Sequence, residues 1–314
     1  MIRRVLAAGA AALLLLGACS GGGREEPDAG TGAPGYTIAF ITHETPGDTF
    51  WDKVRSGAQQ AAADQKIDLK YSNDPDAGKQ AVLIQQAVDS KVQGIATTLV
   101  TPDALAGSVK AATAAGIPVV GLNAGIGQYQ DLGALMYFGS DETVAGTSLG
   151  ERIAAAGARH PLCVIHQTGS VALEARCAGV KSAVPGTENL QVNGADDAAV
   201  TSTLQAKLAQ DKTIDYVVTL GAPIALDAIK AGGTAKLVTF DLNQETAQLI
   251  KDGKIEFAID QQPYVQGYMA VTSLYLYLKN GNDIGGGRPV LTGPSFVDKS
   301  NIDTILPYTQ KNTR

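Results

Sequence analysis

Thiols and imidazoles are scarce in this 314-residue chain, which contains three cysteines and three histidines. Cys163 and Cys177 are close in sequence, and in an oxidising compartment such a pair forms a disulfide more often than a metal site. We predict that they are bridged, with two separately buried thiols as the alternative. His43, His160 and His166 lack the spacing of metal ligands, so neither a metal nor a cofactor is predicted.

The residues around Cys19, near the start of the chain, predict a different role for it from that of Cys163 and Cys177. Arg3 and Arg4 precede an apolar run over 5–16, which is too short to span a bilayer. The run ends in Leu16-Gly17-Ala18-Cys19, which resembles a bacterial lipobox. This resemblance implies that residues 1–18 are a signal peptide and that Cys19 becomes a lipidated N-terminus. An ordinary signal peptide with an incidental cysteine is the alternative.

Composition and charge limit the partners of the mature chain. Two of the 25 basic residues lie in the leader, so the remainder carries 23 basic against 31 acidic residues, a net charge of about −8. No basic run is present that would attract nucleic acid, and nucleic acid is not predicted as a partner. Residues 19–35 are rich in Gly, Pro and charge, and we predict a lipidated flexible tether there.

From Tyr36 onward, short β-branched runs alternate with amphipathic, alanine-rich segments. A first series of strands is predicted between 36 and 123, and a similar series between 162 and 259. This alternation is typical of parallel α/β sheets, so the sequence predicts an α/β protein with two doubly wound halves. A long helix over 264–279 follows, and an extended tail over 290–307 is predicted to return to a sheet.

Polar and aromatic side chains follow the predicted strands. In doubly wound sheets, ligands bind beyond the carboxyl ends of the strands, so these positions are candidates for a binding site. Asp48, Phe50 and Trp51 follow the first strand, and Trp51 is the single tryptophan of the chain. Asn123 and Asp241 come directly after later strands.

Two alternatives stay open around the first strand. Phe50 and Trp51 also fit the core-facing side of the next helix, because their spacing continues to Val54. His43 and Glu44 lie in the same loop, where they either bind a ligand or hydrogen-bond locally.

Four segments of the chain resemble the periplasmic sugar-binding proteins of the ribose- and galactose-binding type, the solute receptors of ABC importers. The segments are 47–58, 115–123, 138–146, and 240–241 together with 253–263. The resemblance extends from Tyr36 to about Pro307. It implies the type I periplasmic binding protein fold, in which two Rossmann-like domains are joined by a three-segment hinge that closes on ligand.

The same resemblance predicts where the chain passes between the domains, near 140–141, 261–262 and 290–291. An N-terminal lobe would then comprise 36–140 and 262–290. A C-terminal lobe would comprise 141–261 and 291–314.

The resemblance also implies a set of ligand-binding residues: Asp48, Phe50, Trp51, Asn123, Arg176, Asp241 and Gln261. Carboxylates and amides accept hydrogen bonds from hydroxyls, arginine is a forked donor, and aromatic faces cover C–H groups. Two positions depart from the family. Asn123 is followed by Ala124 where arginine is frequent, and Gly221-Ala222 stands where an Asn-Asp pair is frequent. Without the forked arginine, ribose or galactose specificity does not carry over.

We therefore expect a small polyhydroxylated ligand, either a pentose or a linear polyol such as xylitol or threitol, with a hexose as the alternative. The resemblance implies a monomer that delivers this ligand to an ABC permease and its ATPase from the extracytoplasmic face of the cell membrane, held there by the lipid on Cys19. A lipoprotein that passes its liganded state to a signalling receptor is the alternative. The chain has no His-Glu-x-x-His motif and no phosphate-binding loop, so an enzyme is not predicted.

Overall fold

The computed structural model of the protein describes residues 35–314. The predictions for the signal peptide 1–18, for Cys19 and for the tether up to residue 34 lie outside the described residues. Within the described range, no helix is both long enough and apolar enough to cross a membrane.

Strands and helices alternate along the described chain. The strands are β1 Thr37–Thr42, β2 Asp68–Asn73, β3 Gly94–Thr98, β4 Val119–Leu122, β5 Met136–Ser140, β6 Pro161–Ile165, β7 Glu188–Gln191, β8 Tyr216–Thr219, β9 Lys236–Phe240, β10 Phe257–Asp260, β11 Val290–Gly293 and β12 Ser295–Asp298. The helices are α1 Thr49–Gln65, α2 Ala77–Asp89, α3 Pro102–Ala114, α4 Glu142–Ala155, α5 Val171–Ala183, α6 Asp197–Gln210, α7 Ala222–Ala231, α8 Gln244–Lys251, α9 Pro263–Asn280 and α10 Ile302–Thr309.

The strands form two six-stranded sheets with matching topology. The first has the order β11-β5-β4-β3-β1-β2 and the second the order β12-β10-β9-β8-β6-β7. All neighbours are parallel except β10 and β12, which are antiparallel. Each sheet reverses its strand order beside its first strand, as in a doubly wound fold. The fold predicted from the sequence is therefore confirmed.

Helices cover both faces of each sheet, so central strands such as β3 and β6 are buried along their whole length. We call the first lobe the first sheet with α1, α2, α3 and α9, because these helices share its two apolar cores. The second lobe is the second sheet with the remaining helices and its own two cores.

The chain passes between the lobes three times. The first two crossings lie between β5 and α4 and between β10 and α9. The third lies between β11 and β12, at Gly293 and Pro294, and not at 290–291 as the sequence predicts. The difference arises because β11 stays paired with β5 as far as Gly293, which lies opposite Ser140.

The tail over 290–307 is only partly extended. Its first part supplies β11 and β12, in agreement with the predicted return to a sheet. Helix α10 then follows, with Pro307 inside it. A proline in a helix interior removes a hydrogen bond, and for this reason the sequence does not predict the helix.

The second lobe contains a disulfide between Cys163 on β6 and Cys177 on α5. Both cysteines are fully buried in one of the two cores of this lobe. The bridge ties α5, which carries Arg176, to a central strand of the sheet.

Close contact between α1 and α9 fixes the helix that carries Phe50 and Trp51. A Cβ on Gly57 would overlap the carbonyl oxygen of Tyr264, and a Cβ on Gly267 would overlap that of Val54. Glycine is therefore required at both positions for the helices to pack at this distance. The contact fixes α1 beside α9 in one of the two cores of the first lobe.

Candidate functional site

A cavity of about 640 Å³ lies between the lobes, at the carboxyl ends of strands from both sheets. It is lined by seven residues that the sequence predicts as ligand contacts: Asp48, Phe50, Trp51, Asn123, Arg176, Asp241 and Gln261. His43 lines it as well, whereas Glu44 does not. The fold thus brings together side chains that are far apart in sequence.

The lobes touch beside this cavity. Val100 and Ala124 of the first lobe form a small buried apolar cluster with Ala172 of the second. The Val171 N–H also donates to the Val100 carbonyl oxygen across the cleft at 3.2 Å. The structure is therefore a closed form, and Ala124 has a packing role at the position where the family often has arginine.

Phe50 and Trp51 form an aromatic wall on the first lobe. Their side chains are buried, belong to the core of that lobe and also line the cavity. The rings of Phe50 and Trp51 meet edge to face at 5.0 Å, and Trp51 meets His43 edge to face at 4.7 Å. The sequence leaves two alternatives for Phe50 and Trp51, a core position or a wall of the binding site. Both apply, because each side chain packs in the core and also lines the cavity.

Asp48 lies beside this wall as the N-cap of α1. Its Oδ1 accepts a hydrogen bond from the Phe50 N–H at 3.0 Å. Burial raises the pKa of this carboxyl, while the Phe50 N–H and the nearby Lys53 ammonium act in the opposite direction. The other carboxylate oxygen is available to accept from a ligand hydroxyl.

Arg176 is the cation of the cavity, and it is held in place from three sides. Its Nε donates to Glu142 Oε2 at 2.5 Å and its Nη1 donates to the Leu220 carbonyl oxygen at 3.1 Å. The guanidinium lies 4.3 Å from the ring centroid of Phe240. Arg176 is 3% exposed, so it presents a fixed donor to the cavity.

Asp241 and Asn123 occupy equivalent places in the two lobes. Each directly follows the fourth strand of its sheet in a left-handed conformation, with φ of 64°. Each backbone N–H donates to the next strand, Asn123 to Phe138 and Asp241 to Ile259. This geometry turns both side chains away from the strand at the edge of the cavity.

A chain of amides connects these two residues. Gln261 Nε2 donates to Asp241 Oδ1 at 2.8 Å, and Asn123 Nδ2 approaches Gln261 Oε1 at 3.4 Å. Burial raises the pKa of Asp241 to about 7, against the opposing effects of Arg176 and of the Gln261 hydrogen bond. Near neutral pH this carboxyl therefore exists in both protonation states.

Two histidines face the cavity, one from each lobe. His43 directly follows β1 and His166 directly follows β6, which are equivalent strands. His43 Nδ1 is hydrogen-bonded to Thr98 Oγ1 at 2.8 Å. Burial lowers the pKa of His43 to about 3 with help from His166, and lowers that of His166 to about 4 with help from Arg176. Both rings are neutral at physiological pH.

Glu44 belongs to a local cluster outside the cavity. Its carboxylate accepts from Arg55 at 2.5 and 2.6 Å and from the Tyr71 hydroxyl at 2.9 Å. The structure thus corresponds to the alternative in which Glu44 hydrogen-bonds locally.

His166, Gln167, Asn193 and Asp196 also line the cavity but were not predicted as ligand contacts. All four follow strands of the second lobe, namely β6 and β7. The signal for these residues in the sequence is their position just after β6 and β7, because ligands lie beyond the carboxyl ends of strands in doubly wound sheets.

Two other features resemble functional motifs and lie elsewhere. Gly146-Thr147-Ser148-Leu149-Gly150 fits the Gly-x-Ser-x-Gly pattern but lies inside α4 and not at a strand-to-helix turn, so it is not a nucleophile elbow.

The second feature is a group of three possible metal ligands, His160, Glu188 and Asp211. Their potential ligand atoms lie within 4.8 Å of one another, near the amino ends of β6 and β7. Lys207 already pairs with Glu188 there at 2.8 Å.

Comparison with known proteins places this architecture among binding proteins. A family model described as the periplasmic binding protein domain matches residues 38–283. The xylose/arabinose-binding protein XylF of Sulfolobus acidocaldarius is 28% identical over 300 residues, covering 87% of this chain and 73% of that protein.

Solved structures agree with this placement. A carbohydrate transporter from Acidothermus cellulolyticus 11B, crystallised in complex with myo-inositol, is 55% identical with a TM-score of 0.88. The match covers 89% of this chain and 99% of that one. A periplasmic sugar-binding protein of an ABC sugar transporter from Legionella pneumophila is 26% identical with a TM-score of 0.76, covering 82% of this chain and 99% of that one.

Proposed function

We propose, because this chain belongs to the periplasmic binding protein family, that it captures a cyclic polyol between its lobes and delivers it to an ABC permease. It is a sugar-binding component of ABC transport and not an enzyme. The observation that carries the proposal is the closed cavity in which Asp48 and Asp241, from opposite lobes, face the same space as a single arginine.

The balance of donors and acceptors favours a ligand with hydroxyls on every side. A hydroxyl both donates and accepts, so it satisfies the carboxylates of Asp48 and Asp241 as well as the guanidinium of Arg176. A ring oxygen only accepts, and therefore requires a donor of its own. Because Ala124 replaces the arginine that is frequent in the family, the first lobe has no cation lining the cavity among the described residues.

Among cyclic polyols, myo-inositol is the ligand that we propose first. It has a hydroxyl on every ring carbon and no ring oxygen. The 55% identical carbohydrate transporter was crystallised with this molecule, which supports the assignment at the level of the whole chain. In this proposal Phe50 and Trp51 cover the C–H groups of the ring, while Asn123, Gln261 and the charged residues bind its hydroxyls.

A pentose or a linear polyol such as xylitol or threitol is the second candidate. It is the ligand class expected from the sequence, and the similarity to a xylose/arabinose-binding protein favours a pentose. A hexose is the third candidate ligand. A linear polyol loses more rotational freedom than a ring on binding, so at equal contacts the cyclic ligand binds more tightly.

The proposal includes the residues outside the described range. Cys19 would carry the lipid that holds a monomer on the extracytoplasmic face of the cell membrane, with 20–35 as a flexible tether. The permease and its ATPase would then receive ligand from the closed form. A signalling receptor is the alternative recipient, and neighbouring permease and ATPase genes would favour the transport role.

A ligand panel tests the proposed function. Protein from residue 20 onward is titrated by calorimetry with myo-inositol, xylitol, threitol, xylose, arabinose and glucose, with thermal unfolding as a second readout. We expect the tightest binding and the largest rise in Tm with myo-inositol. Fluorescence of Trp51, the single tryptophan, should change with the same ligand. Tighter binding of a pentose or linear polyol would replace the cyclic assignment with the second candidate.

A further inference from the structure

His166 is a partly buried residue whose imidazole has no hydrogen-bond partner in the described chain. Its Nδ1 is buried and unpaired, and neither ring nitrogen bonds to another described residue. A polar group that loses water without gaining a partner destabilises the folded state. The ring also lines the cavity, so a hydroxyl bound there is in a position to supply the missing partner.

The ring of His166 lies against two glycines, Gly194 and Gly221, whose lack of a side chain leaves room for it. A Cβ on Gly194 would lie 3.2 Å from His166 Cδ2, and a Cβ on Gly221 would lie 3.4 Å from Cε1 and 3.7 Å from Nε2. Any side chain longer than alanine at position 221 would therefore compete with the imidazole for the same volume. The backbone does not require glycine there, because Gly221 has an extended φ of −169°.

Gly221 is one of the two positions where the chain departs from its family, which often has a ligand-binding asparagine at this point. The sequence alone suggests that a polar contact is lost. The structure places another polar side chain, from the end of β6, against the vacated position.

We propose that His166 is a specificity-determining ligand contact that takes the place of the side chain absent at Gly221, and that it binds the same cyclic polyol as His43, its counterpart in the first lobe. This inference rests on the proposed function of the cavity. His43 Nδ1 is already held by Thr98, which leaves Nε2 for the ligand. The ring of His166 is held only by packing, so its hydrogen bonds are completed when ligand is bound.

The first test removes the imidazole. In His166→Ala, we expect the affinity for myo-inositol to fall about tenfold or more, because hydrogen bonds to the ligand are lost. Discrimination between myo-inositol and scyllo-inositol, which differ at one hydroxyl, should also change. The Tm without ligand should not fall, because the removed ring is unpaired in the free protein. The matched control is His160→Ala, at the amino end of the same strand, which should bind like the wild type.

The second test exchanges the two side chains. Gly221→Asn alone should weaken binding, because the asparagine and the imidazole compete for one space. The double variant His166→Ala with Gly221→Asn should bind more tightly than His166→Ala, because the asparagine regains a polar contact with the ligand. Wild-type affinity in His166→Ala, or no recovery in the double variant, would overturn the inference.

The wild-type titration separates this inference from the proposed function. If the wild type binds no cyclic polyol but binds a pentose or linear polyol, the proposed function fails, and the same variants are compared with that ligand. If the wild type binds myo-inositol and His166→Ala binds it equally well, only the role of His166 fails.

Discussion

The two lobes have the same topology but give the cavity different chemistry. The first lobe supplies the aromatic wall of Phe50 and Trp51, with Asp48 as its carboxylate. The second supplies the cation Arg176 and the carboxyl of Asp241, whose pKa is raised to about 7. Neither lobe alone supplies both the aromatic wall for the C–H groups of a ligand ring and the hydrogen-bond partners for the hydroxyls around that ring. A complete binding surface therefore exists only when the lobes are closed.

The histidines show the same contrast on a smaller scale. His43 is fixed by Thr98 before any ligand arrives, whereas His166 has no protein partner. The first lobe is therefore a preorganised platform, and the second lobe contains the group that ligand completes.

The largest effect is expected at Arg176. Arg176→Ala removes the cavity's cation and leaves Glu142 buried without its ion-pair partner, which should cost about 3–5 kcal/mol of stability. Binding should fall below detection by calorimetry. Arg152→Ala is the matched control, because Arg152 also packs on a phenylalanine ring of the second lobe but pairs at the surface with Asp298. It should cost about 1 kcal/mol or less and leave affinity unchanged. Equal losses in the two variants would contradict the assigned role of Arg176.

A large effect is also expected when the family arginine is restored. Ala124→Arg inserts a long charged side chain into the apolar contact with Val100 and Ala172, and should hold the lobes apart. Affinity should fall about tenfold or more as closure becomes unfavourable. Small-angle scattering should show a larger radius of gyration at saturating ligand than for the wild type. Ala104→Arg, on an exposed position of α3, is the control and should close normally.

A moderate effect is expected from the titration of Asp241. Its pKa of about 7 in the free closed form means that the carboxyl is largely protonated below pH 7. Hydroxyls that donate to the carboxylate stabilise the ionised form, so binding should release a proton and affinity should rise as pH increases toward 7. Calorimetry in buffers of different ionisation enthalpy measures the released proton. Asp241→Asn should abolish the release, and a proton uptake in the wild type would contradict the assignment.

The smallest effect is expected at Glu44. Glu44→Gln weakens a partly exposed ion pair with Arg55 and should cost about 1 kcal/mol or less. Affinity should not change, because Glu44 does not line the cavity. Asp48→Asn, only four residues away, should lower affinity clearly. A larger loss in Glu44→Gln than in Asp48→Asn would show that the loop after β1 is arranged differently in solution.

Much of this fold could be predicted from the sequence, because its signals are local. The alternation of apolar strands with amphipathic helices gave the two α/β halves, and the strand-end rule led to residues such as Asp48 and Asp241. The predicted third crossing lies three residues before the observed one, because the pairing of β11 with β5 is a contact between segments that are distant in sequence. Helix α10 was missed because Pro307 usually ends a helix.

The two departures from the family show what sequence could not supply. The local sequence pattern indicates only that Ala124 and Gly221 each lack a polar side chain that is frequent in the family. Ala124, however, packs against Ala172, and Gly221 lies against the ring of His166. Both compensating residues are far away along the chain, so only the three-dimensional arrangement reveals them.

The three crossings between the lobes have a consequence for biosynthesis. Helix α9 and strand β11 complete the first lobe, yet both are synthesised after nearly all of the second lobe. The groove that receives α9 against α1 therefore stays open until the end of translation. A nascent chain in this condition lacks a finished first lobe, because part of its apolar core is still missing. It also means that a truncated copy released early would be left with an exposed apolar groove that chaperones and proteases recognise.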